Sequence, residues 1–336
     1  MLLLIDISID INAVVLYCDE SVLGLRLGNG YCFTKTYIDN LPFKNKITDG
    51  RGQLAIDYMG SVKADENGKY LICIKKEDSY HIENPIKGPG RYTDNDLMCN
   101  NQAESQNQVD TGYLHKMFSL LHLFKEGNIG TKEIFLDHKF SLGVFKNTLN
   151  HTSNNVTRNI TDDRIYSLTP DEVQLCNQFI MDYQGAEYYI LKNCIDEFVW
   201  GLEQGDIATG FEQFTTALEM TLLGHNQQGK KEVLSKRVAV MLETTPTAID
   251  RMYARMKTFY RFRSESLHEG GGQNISKTEL FELEEIVRNV LIKCLFRVRQ
   301  ELQANASVTW AEIKTMIIND LKLKVTTENN AGTFVS

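Results

Sequence analysis

At 336 residues, with 42% apolar and 24% charged residues, the chain is long enough for two domains that each bury a core, and its composition excludes a disordered or fibrous protein. Seven scattered cysteines, odd in number and without a close pair, argue against a disulfide framework and against a zinc motif. No stretch approaches the ~20 apolar residues of a membrane span, and the start Met1 to Asp10 has no basic segment, so the chain is read as cytoplasmic with no membrane partner.

In chain order, Leu2 to Ile11 alternates apolar residues with Asp6, Ser8 and Asp10, the period of a half-buried strand. Further strands are expected at Ala13 to Tyr17, Gly30 to Tyr37, Gln53 to Val62 and Tyr70 to Lys75, with turns such as Asn67-Gly68 between them and the β-rich part ending near Pro89. Thr93 to Gly112, dense in Asn, Gln and Asp, reads as a flexible linker. Tyr113 to Lys125 predicts a helix, Lys132 to Phe145 shows no single period, and Asn147 to Arg164 is a second polar stretch. Thr169-Pro170-Asp171-Glu172 marks a helix start, with Thr169 as N-cap, Pro170 at the first helical position and Glu172 completing a capping box. That helix is expected to reach Tyr183, to resume after a break at Gly185 as far as Trp200, and to belong with the helices that follow. Phe211 to Leu223 and Val233 to Leu242 have apolar residues three and four apart, as amphipathic helices do. Thr326 to Ser336 lacks periodicity and reads as a frayed tail. The fold class expected is α+β: a β-rich N-terminal module over 1–165, an all-α bundle over 166–325 and a flexible tail over 326–336.

The charge is −8 overall but uneven: from Gly205 onward there are 17 Lys and Arg against 16 Asp and Glu, and before it 19 against 28. Within the neutral part, Arg251, Arg255, Lys257, Arg261 and Arg263 interleave with Tyr253, Phe259, Tyr260 and Phe262, a pattern suited to phosphate contact and base stacking, or else to a solvated cationic face over an aromatic core. The run ends in Arg263-Ser264-Glu265-Ser266-Leu267-His268 followed by Glu269-Gly270-Gly271-Gly272. A histidine of ordinary pKa ~6.5 can take a proton from a ribose 2′-hydroxyl, and a guanidinium can hold the phosphate whose charge grows as the oxygen attacks. Positions five apart on a helix lie about 140° around its axis, so Arg263 and His268 do not share a face, whereas Ser264 and His268 do. Either the helix ends between them, or two copies of the motif meet across a symmetric interface.

This order of helices, ending in an Arg-Ser with a His before a glycine loop and a further helix over Leu283 to Leu291, resembles the HEPN superfamily and within it the Apea-like HEPN group. The resemblance covers Phe211 to Leu302. It implies a helical bundle, commonly dimeric, that in active members is a metal-independent endoribonuclease of toxin, abortive-infection or antiviral systems, needing no cofactor. By that likeness Arg263 and His268 fall on the two catalytic positions. Many active members carry Asn, Asp or His after the arginine; Ser264 keeps a hydrogen-bonding group there without charge. Arg251, Arg255, Lys257 and Arg261 are the candidate RNA contacts, and Glu219, an acid on an apolar helix, either orients Arg263 or His268 or faces solvent.

The expected function is RNA cleavage to 2′,3′-cyclic phosphate and 5′-hydroxyl ends. The alternatives are a non-catalytic HEPN-like scaffold that binds RNA or a partner protein, and a substrate-binding bundle for a separate nucleotidyltransferase. His115 and His122, with Asp110 upstream, lack the spacing of a metal site and read as surface or core residues; His225 reads as a helix-end residue, and His138 has no assigned role. The N-terminal module has no phosphate loop, paired-Asp signature or dinucleotide fingerprint, and reads as a sensor for an activating ligand or phage component.

Overall fold

The computed structural model describes residues 4–49, 51, 53–83, 92–142, 145–154, 164–224, 227–269 and 275–334. The chain forms two compact units, one reaching to Ile180 and one from Met181 onward. The class is α+β, an antiparallel sheet in the N-terminal part followed by helices.

The first unit is built on β1 (Leu4–Leu16), β2 (Arg26–Gly28) and β3 (Tyr31–Tyr37), the one-turn helices α1 (Lys44–Ile47) and α2 (Ile56–Met59), β4 (Lys63–Asp65), β5 (Gly68–Glu83), α3 (Tyr92–Phe124), β6 (Gly130–Leu142) and β7 (Phe145–Asn154). Seven antiparallel strands run in the order β2-β3-β5-β1-β6-β7, with β4 on β5. The central strand β1 pairs with β5 from Leu4↔Glu83 to Val14↔Cys73, and a register shift against β6 falls between Ala13 and Val15. It is one strand rather than the two expected, because the run Ile11–Leu16 is buried throughout. One sheet face carries Val14, Leu16, Leu71, Cys73 and Phe135 against Leu41, Phe43, Ile47 and Tyr58. Gln53 to Val62 supplies α2 and turns instead of a strand, and its Tyr58 packs into that cluster while its hydroxyl donates to Glu133 at 2.9 Å.

The opposite face corrects the linker expectation. Residues 93–112 are not a loop but the first part of α3, a 33-residue helix. Its buried positions Ala103, Asn107, Asp110, Leu114, Met117 and Leu121 keep a helical period. The period escapes a reading by hydrophobicity because polar side chains occupy two of the core positions. They meet polar partners: Asn107 Oδ1 lies 2.7 Å from His138 Nε2, and Asp110 accepts from Tyr31 at 2.5 Å and Lys76 at 3.0 Å. The β-rich part therefore continues past Pro89 into β6 and β7, which pair from Glu133↔Asn154 to Leu142↔Phe145.

α4 (Pro170–Tyr183) starts as expected, Glu172 N–H donating to Thr169 Oγ1 at 3.2 Å and Thr169 N–H to Glu172 Oε2 at 2.8 Å. Through Ile180 it belongs to the sheet unit, not to the following helices: Lys125 pairs with Glu172 at 2.7 Å, and Asn177 Oδ1 accepts from Arg26 N–H at 2.7 Å. Between α3 and β6, Gly127 has φ +134°, and a Cβ there would sit 2.8 Å from Tyr166 Cα, just ahead of α4. Gly127→Ala is expected to destabilise this unit by about 2 kcal/mol, from left-handed strain and a backbone clash, read as a lower denaturation midpoint.

The second unit comprises α5 (Ala186–Leu202), α6 (Ile207–Leu222), α7 (Lys230–Leu242), α8 (Pro246–Glu269), α9 (Lys277–Ala304) and α10 (Trp310–Asn330). α5 and α6 approach closely at Gly201, where a Cβ would lie 2.6 Å from the Phe214 ring. Capping boxes at Ser276/Glu279 and Thr309/Glu312 start α9 and α10. α10 extends through residues 326–330, against the tail expectation: Thr326 and Thr327 return their hydroxyls to the carbonyls of Lys322 and Leu323. Beyond it Phe334 packs edge-on to Tyr253, ring centroids 5.1 Å apart. Among the described residues no helix is long and apolar enough to cross a membrane.

Candidate functional site

α6 and α8 position the site. On α6 the N-cap Asp206 accepts from Thr209 N–H at 2.8 Å, and Phe211, Phe214, Leu218 and Leu222 are buried. The far end is held by cations: Arg237 donates to the Leu222 carbonyl at 2.5 Å and Lys314 to that of Met220 at 2.6 Å, which suits the negative end of a helix. Burial lowers the pKa of both groups. α8 buries Tyr253, Met256 and Phe259, with Phe259 edge-on to Phe211 at 5.5 Å. The aromatics of this stretch thus belong mainly to the core.

That packing brings Glu219 to Arg263. Glu219 Oε1 accepts from Arg263 Nη1 at 2.5 Å and from the Tyr260 hydroxyl at 2.9 Å, while Oε2 accepts from Lys230 Nζ at 3.1 Å. Glu219 and Arg263 side chains are 12% and 17% exposed, so the pair lies at a rim. The guanidinium carbon is 5.6 Å from the Tyr260 ring centroid. Burial first, and then the hydrogen bond to Glu219, push the Tyr260 phenol above its ordinary pKa. Of the roles open to Glu219, the geometry is that of a group orienting Arg263.

α8 is helical through Glu269, so the helix does not end between Arg263 and His268. Of the two routes that bring those residues together, the one through a helix break is removed. In register, the position of His268 falls with Lys257, Arg261 and Ser264 on one face of α8, about 140° from Arg263. The His268 side chain lies outside the described residues. Ser264, Arg261 and Arg251 are exposed. Lys257 Nζ is 4.7 Å from the Tyr253 ring centroid and the Arg261 guanidinium 5.6 Å from that of Phe262.

Arg255, one of the expected RNA contacts, is held by an acid on α9. Its Nε and Nη2 form a fork on Glu282 at 2.8 and 2.6 Å, and it lies 4.3 Å from the Phe259 ring centroid, so it ties α8 to α9. Lys230 and Tyr260 are the residues a sequence reading does not assign to the site. Tyr260 is one of the interleaved aromatics; nothing in the spacing links Lys230 to Glu219. His138 and His122 are buried in the sheet unit, and Asp110 is bonded to Lys76, Tyr31 and Gln106 rather than to a histidine. His225 lies outside the described residues.

No protein-family model, curated protein or solved structure matches the chain.

Proposed function

We propose that the helical unit is a metal-independent endoribonuclease of the HEPN type, working in the cytoplasm in antiviral defence or as a toxin, and active as a two-fold dimer. The observation that carries the reading is the arginine: Arg263 is pre-positioned at a rim by Glu219 and Tyr260 through a single guanidinium nitrogen, on the helix that also bears Lys257, Arg261, Ser264 and His268. Because α8 separates Arg263 from His268 by about 140°, the reacting phosphate is shared between subunits, Arg263 of one protomer facing His268 of the partner subunit. His268 acts as general base toward the 2′-hydroxyl and Arg263 stabilises the in-line transition state. The leaving 5′-oxygen takes its proton from that same histidine, now an imidazolium, or from water. The sheet unit is the regulatory part, taking an activating ligand or phage component.

A specific observation favours a second reading. Glu219 pairs with Arg263, which is what a structural corner in a non-catalytic RNA- or protein-binding scaffold requires. Two measurements separate them. Cleavage of total cellular RNA should persist in excess chelator, since the mechanism uses only His and Arg; activity that vanishes in EDTA and returns with magnesium would sink it. Specific activity should fall on dilution as dimers dissociate, followed by light scattering. Full activity of a monomer at every concentration would exclude the composite site, and no cleavage by an intact dimer would favour the scaffold.

A further inference from the structure

Two cations share the one carboxylate of Glu219. Arg263 holds Oε1 and Lys230, the first residue of α7, holds Oε2 at 3.1 Å, so the cluster has one positive charge in excess. Arg263 also grips its acid in a limited way. Arg255 engages Glu282 with two nitrogens, whereas Arg263 uses only Nη1 toward Glu219 and leaves Nε buried without a partner. A buried donor with nothing to bond, beside an unbalanced positive charge, can be satisfied by an anion. Lys230 is half exposed, with room to follow the carboxylate.

We propose that Glu219 is an internal stand-in for a phosphodiester: an incoming phosphate takes Arg263 from Glu219, and Lys230 retains the freed carboxylate, which makes Lys230 a positioning residue of the site. A phosphodiester carries one negative charge, matching the excess. The inference rests on the ribonuclease reading only in taking RNA as the source of the phosphate; the exchange itself concerns binding and needs no cleavage.

The test is a double-mutant cycle on the full chain, with a 2′-O-methyl oligoribonucleotide that cannot be cleaved and fluorescence anisotropy at fixed salt. Glu219→Gln is expected to tighten binding about tenfold by releasing Arg263, and Lys230→Met to weaken it about tenfold by leaving Glu219 no other cation. In the Glu219→Gln background, Lys230→Met is expected to change affinity less than twofold. Lys230→Arg, which restores the cation at an exposed position, should recover wild-type binding and keeps the test open if Glu219→Gln fails to fold. Equal weakening by Lys230→Met in both backgrounds would make Lys230 an independent phosphate contact and overturn the exchange. Unchanged or weaker binding by a folded Glu219→Gln would overturn it too, as would a Lys230→Arg that binds no better than Lys230→Met. Cleavage of unmodified RNA is assayed in parallel: an intact cycle without cleavage removes the nuclease reading alone, and cleavage without the cycle removes the exchange alone.

Discussion

His268→Ala is expected to lower RNA cleavage by about 10²- to 10⁴-fold, the usual worth of a positioned general acid or base, while RNA affinity stays nearly unchanged. Arg263→Ala should cost a similar factor. Arg263→Lys should recover little of it, because an ammonium does not reproduce the planar guanidinium fork that a phosphate engages. If the two residues act from opposite subunits, mixing His268→Ala with Arg263→Ala chains should restore part of the activity, since a mixed dimer keeps one complete site. Single-turnover rates on a defined RNA, with circular dichroism as the check on folding, measure all of this. Cleavage unaltered in a folded His268→Ala protein would overturn the role of His268 as general base.

Asp110→Ala is expected to destabilise the sheet unit by about 3–5 kcal/mol, the cost of breaking a buried ion pair from one side. Asp110 is fully buried and Lys76 is 4% exposed. Burial lowers the Lys76 pKa, but its bonds to Asp78 and Asp110 outweigh burial and hold it above the ordinary value. Removing Asp110 leaves that ammonium with Asp78 alone, at 2.9 Å, and strips the Tyr31 hydroxyl of its acceptor. Lys76→Met with Asp110→Leu should recover much of the loss, because a well-packed apolar pair avoids the desolvation of two charges. Hydrogen-exchange protection of β1 and β5 reads the effect. Trp200 and Trp310 both lie in the helical unit, so their fluorescence reports on that unit and not directly on the sheet. Unchanged protection in Asp110→Ala would show that the network adds nothing to stability.

Much of the architecture was legible before any coordinates. The alternation of β1 and the amphipathic periods of α6 and α7 depend on which face is apolar, and the start of α4 depends on a local capping box. These signals are short-range and written in residue type. The misreadings share a cause in partners far away in sequence. Residues 93–112 looked like a linker because Asn107 and Asp110 stand at core positions, which is sensible only once His138, Lys76 and Tyr31 are known to face them. Likewise nothing in the spacing along α8 foretells the fork of Arg255 on Glu282.

For the site, the sequence by itself determined that an arginine and a histidine lie five residues apart, beside a cationic stretch in the near-neutral C-terminal part of an acidic chain. Helical geometry also determined that they cannot share a face while the helix lasts. Only the tertiary structure decided that the helix does last, through Glu269, and that Glu219, Tyr260 and Lys230 gather around Arg263. The physical reason is range. A helix period or a cap is settled by neighbours within a turn, but a charge pair across helices depends on how the apolar faces of α6, α7 and α8 pack, and that packing sets which polar groups meet at the rim.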